Sequence, residues 1–342
     1  MAKTFYILDS FLLPTGYNHM FMVQKIGKGF EYQGFKVKIV SRVEQITEPG
    51  FVMISNQPVY FSLGARHNPG GNLFRIIPGA IQRLGRILPI IEDISIRMQF
   101  IAYKKLAAQV KGKDIAVITW DLIAPRTEFL EQLGVRVIFT GDYYDRRPPT
   151  IDQRRLYDLV NDKNAKNGMP LKFAAAVDPD KVGEGCKNNK YLISYVGDKS
   201  YGPEYRAVFA DNPRCKIVPT PPYITEEEKI NIYKNSMFVL GITGPHSERL
   251  GHVPERIFEA LAFGAICLTD NISAVKITDG CAILIRDTSE LRQTVDRLER
   301  DKKARYALRR KGFKFIAKEG NWAARAKDFI DMAKKAYGID FS

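Results

Sequence analysis

Residues 253–271 read VPERIFEALAFGAICLTDN, and the fold turns on how this stretch is read. Pro254 suits the first turn of a helix, where a missing N–H costs nothing. Ile257, Phe258, Leu261 and Ala262 then recur at helical spacing and define one buried stripe. Gly264 falls where a helix end accepts the left-handed conformation, and AICLT reads as a buried strand. At about 100° per residue, Glu255, Arg256 and Glu259 fall together on the face away from the stripe, beside the positive end of the helix dipole. A carboxylate can accept both hydroxyls of a ribose, and an arginine can fork onto a diphosphate. The competing reading is a solvated, salt-bridged helix face.

Outward from this helix the chain keeps an α/β rhythm. TFYILDS (4–10), a turn through Gly16, a helix from about Asn18 to Gln33, FKVKIVS and FVMISN (51–56) give the opening of a doubly wound sheet. The dinucleotide fingerprint G-x-G-x-x-G is absent. IAVITWD (115–121) and VRVIFTGD are two further strands, and 142–170 is polar and irregular. YLISYVGD (191–198), CKIVPTPPY, MFVLGITG, AICLT and CAILIRD form a second set. Thr225 is a plausible cap for the helix ITEEEKINIYKNS, and Thr288 or Ser289 for TSELRQTVDRLERD. The expected architecture is α/β, with two Rossmann-like doubly wound domains facing a cleft. They comprise residues 1–170 on the acceptor side and 171–320 on the nucleotide side. Residues 321–342 form a terminal helix.

Composition narrows the class. The 342 residues are 45% hydrophobic and 26% charged, which is globular. No apolar run is long enough to span a bilayer. The N-terminus reads as a strand and not a secretory signal, and four cysteines without metal-ligand spacing fit a reducing cytoplasm. The net charge of +14 attracts polyanions: nucleotide diphosphates, anionic lipid, acidic glycans or nucleic acid. Residues 73–110, apolar and basic, read as core-packing helices or as an amphipathic surface. Arg297–Lys314 carries nine Lys or Arg against two acids, interleaved with Tyr306 and Phe313. It reads as a solvated helix face or a polyanion-binding surface.

The 253–271 helix and strand resemble the signature of GT-B glycosyltransferases, in which R-x-F-E-A-x-A-x-G opens a helix and a strand ending in Asp follows. The likeness is closest to the CgeB-like (spore-maturation type) bacterial branch, which also favours an AVDP segment shortly before its second domain. A looser likeness is to phage DNA glucosyltransferases. The resemblance implies that Arg256 meets the nucleotide-sugar phosphates and Glu259 holds the ribose. It also implies metal-independent transfer and a terminal helix crossing back onto the first domain, and it favours uracil as the base. In many retaining relatives a Glu stands eight residues before the ribose Glu; here that residue is Gly251.

The other candidates come from their places at strand ends. Lys199 and Arg206 follow the first strand of the second domain, in a loop where Gly197 and Gly202 permit close approach. Tyr223, behind Pro221 and Pro222, is placed against the base. The loop from Thr243 and Gly244 through Glu248 to His252 faces the donor sugar, with Glu255 behind it. Asp121 and His19 compete as the catalytic base that takes the acceptor proton, with His67 a distant third. The expected function is transfer of a sugar from a nucleoside diphosphate, UDP by preference, to a hydroxyl of a glycan or lipid-linked acceptor. No cofactor and no metal are expected. The expected location is cytoplasmic, with peripheral contact at the inner membrane face. The rival readings are glycosylation of hydroxymethylated bases in DNA and an inactive nucleotide- or polyanion-binding scaffold.

Overall fold

The computed structural model describes residues 3–8, 17–40, 42–55, 103–120, 130–141, 168–170, 190–220, 224–243 and 253–341. These fall into two units. The first comprises Met1–Gly141, Thr150–Pro170 and Ala326–Ser342; the second comprises Asp142–Pro149 and Leu171–Arg325.

In the first unit, strands β1 (Thr4–Leu8), β2 (Lys36–Val40), β3 (Gly50–Ser55), β4 (Ile115–Trp120), β5 (Val137–Gly141) and β6 (Gly168–Pro170) form a parallel sheet. Their order is β2-β1-β3-β4-β5-β6. A parallel sheet is covered on both faces, so its strands read as apolar runs; every residue of β1 is buried. Alternation sends Tyr6 and Leu8 to one face, with Val52, Ile54, Val117 and the helical residues Tyr103, Leu106 and Val110. On the other face Phe30 of helix α1 (Tyr17–Tyr32) stacks on Phe5 with ring centroids 4.1 Å apart and meets Phe51 at 5.0 Å.

The end of the chain completes that aromatic cluster. Phe329 lies 6.2 Å from Phe30, and Phe341 lies 4.8 Å from Phe51. The Tyr337 hydroxyl donates to the Val137 carbonyl at 2.6 Å and accepts from its N–H at 3.0 Å. Strand β6 lies within the stretch that the sequence presents as irregular. It pairs in parallel with β5, a long-range partnership that three residues ending in proline cannot advertise.

The second unit repeats the plan. Strands β7 (Tyr191–Asp198), β8 (Cys215–Thr220), β9 (Ser236–Leu240), β10 (Ile266–Thr269) and β11 (Ile283–Leu284) run parallel in the order β11-β10-β9-β7-β8. Helices α2 (Pro203–Ala207), α3 (Glu226–Lys234), α4 (Glu255–Ala262), α5 (Ile272–Ile277), α6 (Thr288–Arg300), α7 (Lys302–Lys318) and α8 (Trp322–Tyr337) follow in chain order. Thr225 caps α3 in a reciprocal box: its hydroxyl accepts from the Glu228 N–H, and the Glu228 carboxylate accepts from the Thr225 N–H. Helix α6 is capped by Asp287 and not by Thr288 or Ser289. Its carboxylate takes the Glu290 N–H at 2.7 Å, an anion at the positive helix end where a hydroxyl would be weaker. Gly264 is left-handed (φ 79°) at the end of α4. The basic run 297–318 is split between α6 and α7 by Asp301, which caps the second helix.

Residues 73–102 of the apolar basic tract, and His67, lie outside the described residues. Among the described residues no helix is long and apolar enough to cross a membrane.

Gly50 permits the closest approach in the first sheet. Its φ is +148°, and a Cβ there would lie 1.9 Å from the Thr4 carbonyl oxygen of the paired strand. Gly50→Ala must therefore part β1 from β3, at a cost of about 3 kcal/mol. Urea denaturation measures it; a loss below about 0.5 kcal/mol would contradict this packing.

Candidate functional site

The order β8-β7-β9 places a topological switch point in the second sheet: the chain leaves β7 for β8 on one side and returns to β9 on the other. In open parallel sheets ligands bind outside the carboxyl ends of strands at such a point. Here those ends are Gly197 and Asp198 of β7 and the segment Gly241–Thr243 after β9.

Arg256, in the first turn of α4, reaches this point. Its Nη1 lies 3.3 Å from both the Tyr195 hydroxyl and the Ile242 carbonyl. A Cβ on Gly197 would stand 2.3 Å from that nitrogen, so the room at Gly197 is filled by the guanidinium. Gly202 likewise leaves room for Ile242 and not for a ligand. Only Nη1 of Arg256 is engaged; Nε and Nη2 have no hydrogen-bond partner among the described residues. Helix α4 begins at Glu255, and Pro254 before it provides no side-chain cap; the start of a helix carries the positive end of its dipole.

Arg206 of α2 is the second cation. Its guanidinium lies 5.0 Å from the Tyr195 ring centroid, and that of Arg256 lies 5.7 Å from the same ring. Two guanidinium groups thus flank one tyrosine. Arg206 also ties down the loop before α2, donating to the carbonyls of Lys199 (2.7 Å) and Tyr201. Lys199 itself is exposed. Asp198 is committed to the Ser200 N–H (2.8 Å) and hydroxyl (2.7 Å). Those two bonds hold its carboxyl below the usual carboxylate range, with Arg256 and Lys199 adding to the effect.

Glu259, one turn after Arg256, is 1% exposed. Its Oε1 accepts from Lys229 Nζ at 2.5 Å, an ion pair across the packed helices α3 and α4. Burial lowers the Lys229 pKa, but Glu259 and then Glu255 raise it further, leaving it well above the ordinary lysine value. Lys229 therefore stays charged at every pH below about 10, the unfolded lysine range. Tyr233, one turn on from Lys229, is fully buried and its hydroxyl has no partner among the described residues. Burial, and then Glu259, push that hydroxyl's pKa up.

Thr243 is buried. Its N–H and hydroxyl both go to Asp270 Oδ1 (2.9 and 3.1 Å), and Asn271 Nδ2 donates to the hydroxyl at 3.3 Å. Those groups are spent on fixing the end of β9. Glu255 is half-buried beside Lys229. His19 lies on α1, but its side chain is outside the described residues, as are Asp121, Tyr223, Gly244, Glu248 and His252.

The structure thus gathers Gly197, Arg206, Arg256 and Glu259 and adds Tyr195 and Lys229, which the sequence had not singled out. Tyr195 looks like any strand residue. Lys229 carried a signal, since the Thr225 cap fixes the phase of α3 and puts residues 229 and 233 on one face. Cys267 packs behind this face, and burial pushes its thiol up to about 12.

Residues 195–331 match a family described as glycosyl transferase-like. A search of curated protein sequences finds no match. Among solved structures, the chain resembles α,α-trehalose 6-phosphate synthase from Burkholderia multivorans (TM-score 0.56, 10% identity, 98% of each chain covered). It also resembles a trehalose-6-phosphate structure from E. coli bound with UDP-2-fluoro glucose (TM-score 0.57, 12% identity, 97% of this chain and 99% of that one). At such identity the likeness is one of fold. Fold and matched segment together define the class: a glycosyltransferase of GT-B architecture. The matched segment contains Arg206, Lys229, Arg256 and Glu259.

The buried pair yields a direct expectation. Lys229→Met leaves the Glu259 carboxylate buried without a counter-charge and lowers stability by about 3–5 kcal/mol. Adding Glu259→Gln recovers most of the loss, because neither partner is then charged. Denaturation of the two single variants and the double variant closes the cycle; additive losses would contradict a direct pair.

Proposed function

We propose that the chain transfers a sugar from a nucleoside diphosphate, UDP in the first instance, to a hydroxyl of a glycan or lipid-linked acceptor, as a CgeB-like enzyme. The observation that carries this reading is the free edge of the Arg256 guanidinium at the switch point, beside an uncapped helix end. A leaving diphosphate needs its growing charge met by fixed donors, and the Nε and Nη2 edge of Arg256 has no competing partner among the described residues, Nη1 alone being engaged. Arg206 adds a second cation across Tyr195, and Lys199 a third from the exposed loop. The bound UDP-2-fluoro glucose of the E. coli structure supports the choice of donor.

Glu259 takes the ribose in this reading. Lys229 holds Oε1 in place, and the other oxygen is assigned to accept from a sugar hydroxyl. A carboxylate already held by a lysine is oriented before the nucleotide arrives, which lowers the ordering cost of binding. Tyr223 is assigned to the base, and Gly244, Glu248 and His252 to the donor sugar, with Thr243 and Glu255 framing them. Asp121 or His19 takes the acceptor proton. With guanidinium groups and a helix end supplying the counter-charge, transfer proceeds without a metal or cofactor.

Binding to the nucleotide tests the assignment. UDP at about a hundredfold excess over Kd raises the melting temperature by roughly 5 °C. Arg256→Ala weakens UDP about 30-fold or more while leaving uridine unchanged, because only the phosphates meet the guanidinium. Gly197→Ala, which displaces the same guanidinium, has the same selective effect. Glu259→Gln reduces the preference for UDP over 2′-deoxy-UDP. Equal losses for UDP and uridine in Arg256→Ala would sink the phosphate assignment.

A further inference from the structure

Helix α7 turns a different chemistry outward. Between Lys302 and Lys318 it carries eight Lys or Arg and no Asp or Glu. Its inner face is fixed by packing on α4: a Cβ on Gly312 would lie 3.0 Å from Leu261, and Ile316 is buried. Some cations have internal work, Arg305 with the Leu298 carbonyl (2.7 Å) and Lys311 with the Asp279 carbonyl. Lys302, Lys303, Arg310 and Lys314 are exposed and make no ion pair or hydrogen bond to a described residue. At about 100° per residue, Lys303, Arg310 and Lys314 lie within about 40° of one another over about 16 Å of helix. Tyr306, 68% exposed, stands beside them.

We propose that this face of α7 docks the protein on anionic phospholipid bilayers. Lys303, Arg310 and Lys314 lie along one line, with exposed Lys302 at its N-terminal end, and each Lys or Arg near an anionic bilayer adds about 1 kcal/mol of attraction, roughly fivefold in binding. Tyr306 has the amphipathic ring suited to headgroup depth. Base edges are read by Arg, Asn, Gln, Ser or Thr; this line offers only Arg310 of that set, and α7 contains no Asn, Gln, Ser or Thr. The face is adsorptive, not inserting, because the apolar stripe of α7 is spent on α4. Since α7 packs on α4 at Leu261 and α4 carries Arg256, one helix links the docked face to the nucleotide side. The proposal is independent of the donor assignment.

The test is co-sedimentation of the full chain with vesicles of phosphatidylcholine alone and of phosphatidylcholine mixed with phosphatidylglycerol, at low and high salt. Binding is expected only to the mixed vesicles and is lost at high salt. The triple variant Lys303→Gln, Arg310→Gln, Lys314→Gln weakens it about 100-fold, at roughly fivefold per cation. Tyr306→Ala weakens it a few-fold, and melting of both variants stays at the wild-type temperature. Equal binding to both vesicle types, or an unchanged triple variant, overturns the proposal. So does a salt-sensitive, triple-variant-sensitive affinity for duplex DNA without vesicle binding, which assigns the face to nucleic acid.

Discussion

Arg256 reaches the carboxyl end of β7 only because residue 197 carries no side chain. That single absence sets a guanidinium against bare backbone, 3.3 Å from the Tyr195 hydroxyl and the Ile242 carbonyl, at the place where the second sheet changes direction. Arg206 lies 5.0 Å from the centroid of the Tyr195 ring. Two like charges near one ring repel, and Asp198, itself committed to Ser200, lies close enough to Arg256 to feel its charge. An anion bound beside them, as proposed, would relieve that repulsion. An electrostatic site of this kind is built before its ligand, so little reorganisation is left for the moment of reaction.

Behind this front lies the Lys229–Glu259 pair. A buried ion pair is a poor stabiliser, since desolvation offsets much of the attraction. Its retention between α3 and α4 is better understood as orientation: the capping box at Thr225 fixes the phase of α3, and that phase brings Lys229 to one oxygen of Glu259. The unpartnered Tyr233 hydroxyl beside it shows that this corner is not optimised for stability alone. α4 also packs against α7, Gly312 meeting Leu261, so one helix joins the proposed phosphate site to the cationic outer face.

Much of this was legible in residue order because the signals are local. The helical spacing of Ile257, Phe258 and Leu261, with Gly264 at its end, placed α4 and its polar residues. Buried parallel strands announce themselves as apolar runs, and YLISYVGD coincides with β7. What escaped depends on distant partners. Lys229 is 30 residues from Glu259, and no periodicity connects them. Tyr195 is a core-facing strand residue until two arginines are folded against it. β6 exists through its pairing with β5. Asp287, Thr288 and Ser289 are consecutive cap formers, and the sequence does not rank them. Helix α5 was missed although Asn271 signals it, its side chain accepting from the N–H groups of Ser273 and Ala274. Gly197 was read as room for a ligand; the room belongs to Arg256.

The most direct measurement is a crystal structure of the protein soaked with UDP. The account predicts phosphate oxygens within about 3 Å of the free nitrogens of Arg256, at the ends of β7 and β9, with the ribose against Glu259. A nucleotide bound elsewhere, with Arg256 still facing solvent, would contradict it.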